Sequence, residues 1–119
     1  DKYQKMVRDF GYWEDDVEFM GYWKTSNIVQ GQNDRLKASV YARKGRGKAL
    51  LVVGNLSDNP VSPELIFDPA KLGLKGNIAL TNAETGKPLT ETGRGKTKLP
   101  LTIPGRNYVL VSVTGDTIN

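Results

Sequence analysis

The residues best suited to chemistry in this sequence are four carboxylates in one short stretch, Glu14, Asp15, Asp16 and Glu18. Paired carboxylates hydrolyse glycosides when they flank a bond at separations of about 5–10 Å. These four lie in one predicted turn, and no second acidic segment is placed to face them. A calcium loop would alternate such ligands with glycine, and that alternation is missing. We therefore predict a solvated acidic turn, with no catalytic residue and no metal site.

The composition removes several other classes of chemistry. The 119 residues include no cysteine and no histidine. Thiol nucleophiles, disulfides, the usual zinc ligands and the commonest general base are therefore absent. No stretch approaches the roughly 18 consecutive apolar residues of a membrane helix. The length predicts a single domain, and no feature of the sequence indicates a cofactor.

Two basic loops repeat the tetrapeptide Gly-Arg-Gly-Lys, at residues 45–48 and 93–96. The second loop ends like a phosphate-binding loop, but a strand follows it instead of the required helix. If both loops lay at one end of the fold, they would form a basic cluster that binds polyanions. Its candidates are Arg46, Lys48, Arg94 and Lys96. Solvated turns have the same composition and the net charge is only +4, so nucleic acid is not the expected partner.

Four further candidates come from the triplet Gly-Tyr-Trp, which occurs at residues 11–13 and again at 21–23. They are Tyr12, Trp13, Tyr22 and Trp23. Aromatic faces can stack on sugar rings, and tyrosine and tryptophan are also frequent at domain interfaces. The same residues could instead close one end of a hydrophobic core. The sequence favours packing, in the core or against another domain, and leaves carbohydrate binding as an alternative.

The elements that must position these residues are mostly strands. Apolar residues alternate with polar ones over 36–43, and residues 49–53 are apolar throughout. This pattern predicts a β-hairpin over residues 36–56 whose second strand lies in the middle of a sheet. Further strands are predicted near residues 19–23, 61–67, 77–81, 88–90, 99–103 and 108–114. Seven or eight short strands separated by turns are typical of an all-β, antiparallel two-sheet β-sandwich.

Two details refine this prediction. Pro63 cannot donate to a ladder, so residues 61–67 should form an edge strand. The sequence Asp68-Pro69, followed by Gly73, predicts a one-turn helix. Asn55 begins a glycan acceptor pattern, but at the end of a strand it is expected to hydrogen-bond to its own backbone instead.

The amino-terminal segment differs from the rest of the chain. Tyr3, Met6, Val7 and Phe10 are spaced as on one face of a helix, and Gly11 can end it. We predict a helix over residues 2–10 whose apolar stripe covers either the sandwich or a neighbouring domain. The predicted organisation is a helical and aromatic segment at 1–23 and a β-sandwich at 24–119. Together they form a single domain that we expect to be cut from a longer protein.

Several segments occur in an order that carries a family resemblance. They are FGYW at 10–13, FMGYW at 19–23, LKASVY at 36–41, ALLVVGNL at 49–56, FDPAKLGL at 67–74 and NAETGKPL at 82–89. This order resembles the C-terminal β-sandwich of bacterial glycoside-hydrolase-like proteins, relatives of β-N-acetylgalactosaminidase-type hydrolases. In those proteins the catalytic carboxylates lie on a (β/α) barrel. The resemblance therefore implies a non-catalytic accessory domain that packs on a barrel of the same chain, in an exported bacterial protein.

Overall fold

The computed structural model describes residues 2–117, in which one α-helix and three short 3₁₀ helices accompany eight strands. The elements are α1 (Lys2–Phe10), β1 (Glu18–Met20), β2 (Val29–Gln30), β3 (Leu36–Arg43), β4 (Lys48–Asn55), β5 (Ile66–Phe67), β6 (Leu74–Asn82), β7 (Thr97–Lys98) and β8 (Asn107–Thr117). The strands form a five-stranded sheet, ordered β1-β3-β4-β8-β6, and a three-stranded sheet, ordered β2-β5-β7. All pairs are antiparallel. The predicted all-β sandwich is confirmed.

The hairpin of β3 and β4 forms the centre of the large sheet. Val40 pairs with Leu51, and β4 continues on its other edge into β8. Gly47 has a φ of 66° and ends the short 3₁₀ turn that connects the two strands, a conformation that favours glycine. The predicted position of the second strand in the middle of a sheet is therefore confirmed.

The main core lies between the two sheets. Val40, Leu51 and Val111 contribute from the large sheet, and Phe67 and Leu99 lie opposite on the side of the small sheet; all five are completely buried. The alternation along β3 and β8 directs every second side chain into this core. Burial of these apolar side chains is the main favourable term in the stability of the sandwich.

Helix α1 forms a third layer on the outer face of the large sheet. Val7 packs against Leu50 of β4 and Leu110 of β8, and all three side chains are buried. Leu50 and Leu110 alternate with the residues of the main core, so both faces of β4 and β8 are covered here. The helix predicted at residues 2–10 is confirmed, and its apolar stripe covers the sandwich.

Four predicted strands differ from the structure. Residues 88–90 form no strand, and only Pro88 makes an isolated bridge, with Thr81 of β6. The strand predicted at residues 19–23 ends at Met20, because Tyr22–Lys24 turn into a 3₁₀ helix. The edge strand predicted at 61–67 is also wrong: only Ile66–Phe67 is a strand, and it lies in the middle of the small sheet. Residues 99–103 bury alternate side chains as predicted, but they form no regular ladder. Prolines, which have no N–H, interrupt both of the last two segments.

Two local predictions agree with the structure. Asp68 accepts a hydrogen bond from the N–H of Ala70, at 3.3 Å, and caps the 3₁₀ helix Pro69–Leu72, which Gly73 ends at a φ of 72°. Asn55 is 2 % exposed. Its amide oxygen accepts from the N–H of Ser57, two residues further on, which is the expected local hydrogen bond. Its amide nitrogen also donates to the carbonyls of Asn59 and Ile103, and the bond to Ile103 was not predicted.

Candidate functional site

The four aromatic residues of the two Gly-Tyr-Trp triplets are on the surface. Tyr12, Trp13, Tyr22 and Trp23 are 52 %, 59 %, 46 % and 67 % exposed. Within each triplet the two rings meet edge to face, with centroids 5.6 Å apart in the first and 5.2 Å apart in the second. This arrangement is a favourable one for aromatic pairs. The tyrosine and the tryptophan of each triplet thus pack against each other and still leave large apolar surfaces in contact with solvent.

The two triplets lie near opposite ends of β3. At one end, Arg43 donates a hydrogen bond to the carbonyl of the last residue of α1, directly before the first triplet. At the other end, Lys37 Nζ lies 4.9 Å from the ring centroid of Tyr22. Between them Phe19, which is 49 % exposed, pairs with Tyr41, and their ring centroids are 4.8 Å apart.

Together these residues line one edge of the large sheet. The two triplets lie near Lys37 and Arg43, which are six residues apart on β3. At about 3.3 Å per residue, this corresponds to a separation of about 20 Å along the strand. We call this surface the aromatic edge, and it consists of Tyr12, Trp13, Phe19, Tyr22 and Trp23. Phe19 was not among the sequence-based candidates. The signal for it is its position two residues before the second triplet, at the start of the strand predicted at residues 19–23.

The glycines of the triplets have distinct structural roles. Gly11 has a φ of 90°, and a Cβ atom at this position would lie 2.7 Å from Nη1 of Arg43. A Cβ atom at Gly21 would overlap the indole ring of Trp23. The first glycine therefore permits a turn and a close contact with Arg43, and the second lets the indole lie against the backbone.

The acidic turn before β1 is bound to the hairpin tip. Asp16 accepts hydrogen bonds from Nε and Nη2 of Arg43, both at 3.0 Å. Arg46 Nε lies 3.4 Å from the same carboxylate, and Lys44 forms an ion pair with Glu18 at 3.2 Å. Asp16 and Glu18 are exposed, in agreement with the predicted solvated turn, but cations 26 or more residues away also compensate their charges, which the sequence pattern did not indicate.

This pairing determines the electrostatics of the turn. The Arg43 guanidinium, which binds Asp16, holds the pKa of that carboxyl below its usual range. A carboxyl of this kind stays ionised at neutral pH and is unsuited to donate a proton. Within residues 2–117, no group of three or more acidic side chains is arranged to hold a metal ion.

The two basic loops lie at the same end of the large sheet but not side by side. The amide of Gly115 on β8 donates to the carbonyl of Gly47 at 2.8 Å, and Gly93 forms a bridge with Ile78 on β6. Strands β8 and β6 therefore separate the loops. Of the four basic candidates, Arg46 is bound to Asp16. The other three, Lys48, Arg94 and Lys96, are exposed and form no ion pair among the described residues.

A groove between α1 and β3 adjoins the aromatic edge. Its volume is about 330 Å³, and it is lined by Tyr3, Gln4, Val7, Arg8, Tyr12 and Tyr41. The hydroxyls of Tyr3 and Tyr41 are 3.5 Å apart. Burial, together with the hydroxyl of Tyr41, raises the pKa of the Tyr3 phenol, so the Tyr3 hydroxyl is protonated at neutral pH.

Comparison with known families identifies the class of domain to which this sandwich belongs. A family model described as the C-terminal domain of glycoside hydrolase 123 matches residues 3–114. The chain belongs to this family. The match includes all of α1 but its first residue, both Gly-Tyr-Trp triplets and most of β8. Family membership confirms the resemblance derived from the sequence segments.

Solved structures share the fold of this glycoside hydrolase 123 C-terminal domain. One is a putative α-N-acetylgalactosaminidase from Bacillus halodurans, with a TM-score of 0.54 and 15 % identity over 71 % of this chain. Another is a family 27 β-L-arabinopyranosidase from Geobacillus stearothermophilus, in complex with arabinose, with a TM-score of 0.53 and 9 % identity over 72 % of this chain. The match spans 19 % of the length of each of these proteins. A comparison with curated proteins gives no match.

Proposed function

We propose that this chain is a non-catalytic accessory domain that packs against the catalytic domain of a glycoside hydrolase 123 protein through the aromatic edge. The observation that carries the proposal is the exposure of five large aromatic side chains along one edge of the large sheet. Exposed apolar patches of this kind mark interaction sites. Tyrosine and tryptophan are also the residues that most often dominate binding energy at protein interfaces.

The position of this surface in the chain supports the same proposal. A C-terminal domain is joined to the rest of its protein on its amino-terminal side. The helix α1 and both Gly-Tyr-Trp triplets form the amino-terminal part of this chain and lie on or beside the outer face of the large sheet. A catalytic domain connected there would be close to the aromatic edge.

The carboxylates support a non-catalytic role. A glycosidase needs two carboxyl groups that flank the same bond, one of them able to donate a proton. Asp16 and Glu18 are both held in ion pairs with the hairpin tip. The catalytic carboxyls of the parent protein are therefore expected in its barrel, as the family resemblance implies.

The experiment that tests this proposal measures association between two separately produced pieces. The catalytic part of the parent protein is titrated with this chain in a calorimeter, and then with the variants Trp13→Ala and Trp23→Ala. Because each side chain is an exposed aromatic anchor, each substitution should weaken binding by about tenfold or more. Leu56→Ala is the matched control, since Leu56 is 49 % exposed but lies outside the aromatic edge. Equal affinity of the wild type, Trp13→Ala and Trp23→Ala would overturn the proposal.

A carbohydrate-binding module is the second candidate. It is supported by the exposure of Trp13 and Trp23, because exposed indole surface can stack on sugar rings. Titration of this chain with neutral polysaccharides separates the two candidates. Saturable binding that is lost in Trp13→Ala would favour the carbohydrate-binding function, whereas association with the catalytic part alone would favour the accessory one.

A further inference from the structure

The groove between α1 and β3 adjoins the aromatic edge, with which it shares Tyr12, and its other lining residues are used by neither proposed role of that edge. Its walls carry aromatic rings from Tyr3, Tyr12 and Tyr41, and its helical side carries Arg8. Aromatic walls with a few polar groups are typical of small-molecule sites. Its volume of about 330 Å³ is at the small end of the range for such sites, about 300–1,000 Å³. The groove therefore suits a single ring-sized ligand unit.

The rings of the groove are held in fixed positions before any ligand binds. Tyr3 packs edge to face against Tyr108, with centroids 5.3 Å apart, and its hydroxyl lies 3.5 Å from that of Tyr41. Tyr41 in turn packs against Phe19. Because these contacts order the side chains in advance, a ligand would not lose affinity to ordering them.

Arg8 determines the charge that the groove can accept. It is exposed and forms no ion pair within residues 2–117. The nearest acidic residue along the helix, Asp9, is bound by Lys5 at 2.8 Å. An uncompensated guanidinium offers parallel N–H donors that match the two oxygens of a carboxylate. The groove thus suits a ligand that carries a carboxylate next to a ring.

We propose that this groove binds a carboxylate-bearing pyranose, such as a uronic acid unit of a polysaccharide. The tyrosine rings contact the apolar C–H face of the sugar, the hydroxyls of Tyr3 and Tyr41 bind sugar hydroxyls, and Arg8 binds the carboxylate. A sugar is the expected ring because the chain belongs to a glycoside hydrolase family. Ligand sites occur preferentially at domain interfaces, so a groove beside the aromatic edge is compatible with the accessory role.

The test is a calorimetric titration of this chain with trigalacturonate. Saturable binding is expected, and Arg8→Gln should weaken it by at least about tenfold because a charge-assisted hydrogen bond is lost. Arg8→Lys, which keeps the charge but not the paired donors, should give an intermediate affinity. Arg94→Gln is the matched control, since it also removes one exposed positive charge; it should leave the affinity within about twofold, as expected for a residue outside the site.

Several results would overturn this proposal. They are the absence of saturable binding, an equal loss in Arg8→Gln and Arg94→Gln, and a neutral galactose trimer that binds as tightly as trigalacturonate. A sulfated galactose trimer that binds more tightly than trigalacturonate would reject the carboxylate as the recognised group. The thermal unfolding midpoint of each variant shows that it is folded. Because these titrations use the chain alone, their failure would leave the association with a catalytic domain unaffected.

Discussion

Arg43 and Asp16 are joined by two parallel hydrogen bonds of 3.0 Å across 27 residues of sequence. The Arg43 side chain is 11 % exposed and that of Asp16 is 39 % exposed, so water screens the pair only in part. The remaining guanidinium nitrogen donates to the carbonyl of Phe10 at 3.0 Å. One side chain of β3 thus binds both the end of α1 and the acidic turn, and it fixes the first Gly-Tyr-Trp triplet between them.

Arg43→Gln should destabilise the domain. The variant loses the paired hydrogen bonds to Asp16 and leaves the Phe10 carbonyl without its donor, at a cost of about 1–3 kcal/mol in the free energy of unfolding. Urea denaturation followed by tryptophan fluorescence measures this change. Arg46→Gln is the control, since Arg46 is 63 % exposed and reaches Asp16 only at 3.4 Å, and it should change stability by less than about 0.5 kcal/mol. An equal effect of both substitutions would contradict the role of Arg43.

The Arg43–Asp16 pair should also make the free energy of unfolding depend on pH. Asp16 has a lowered pKa in the folded protein, whereas an aspartate in the unfolded chain titrates at about 3.9. The unfolded state therefore takes up the proton first, so this contribution to stability is complete above about pH 5 and is lost as pH falls through the folded pKa. Urea denaturation between pH 2 and pH 7 should show a smaller acid loss in Asp16→Asn than in the wild type. If stability fell in parallel with pH in Asp16→Asn and in the wild type, the Asp16 carboxyl would be excluded as a source of the pH dependence.

The layer formed by α1 depends on a small outer core. Leu50 is 1 % exposed and packs with Val7 and Leu110 beneath the helix. Leu50→Ala should lower the free energy of unfolding by about 2–5 kcal/mol, because it removes buried apolar atoms and leaves a cavity. Leu56→Ala, the same change at a residue that is 49 % exposed, should cost less than about 0.5 kcal/mol. Thermal and urea unfolding of the two variants provide the comparison, and similar losses would mean that the helix contributes little.

Local sequence patterns predicted the central part of this fold, because its strands and its helix each give a characteristic spacing of apolar side chains. Alternation over β3 and the apolar run of β4 identify the hairpin, and helical spacing identifies α1. The segments around Pro63 and Pro100 were harder to predict. Their alternate side chains are apolar and buried, as in a strand, yet proline removes the donors that a ladder needs. Periodicity reports which side chains are buried and says nothing about which backbone groups are paired.

The sequence identified residues of the candidate site, but it did not predict whether they are exposed or which side chains they contact. The repeated triplet marked Trp13 and Trp23, but their composition is equally typical of a core and of a surface. Their exposure follows from the pairing of β1 with β3 and from the 3₁₀ turn that ends β1 early. The partner of Asp16 was likewise hidden, because Arg43 lies 27 residues away and occurs among several cations at the hairpin tip. Such long-range pairs depend on register, which the sequence of one strand does not specify.

Asn55→Ala should be among the most destabilising polar substitutions in the chain. The amide nitrogen of Asn55 lies 3.0 Å and 3.2 Å from the carbonyl oxygens of Ile103 and Pro104, and its amide oxygen accepts from the backbone N–H of Ser57 at 2.9 Å. The side chain thus links the end of β4 to the loop before β8. Its removal takes the amide donor from the Pro104 carbonyl and the acceptor from the Ser57 N–H, and it leaves the Ile103 carbonyl with the N–H of Val61 alone, at a cost of about 1–3 kcal/mol. Asn59→Ala is the control, because Asn59 is exposed and only its backbone carbonyl contacts Asn55. Urea denaturation in which both variants match the wild type would show that water replaces these hydrogen bonds without loss.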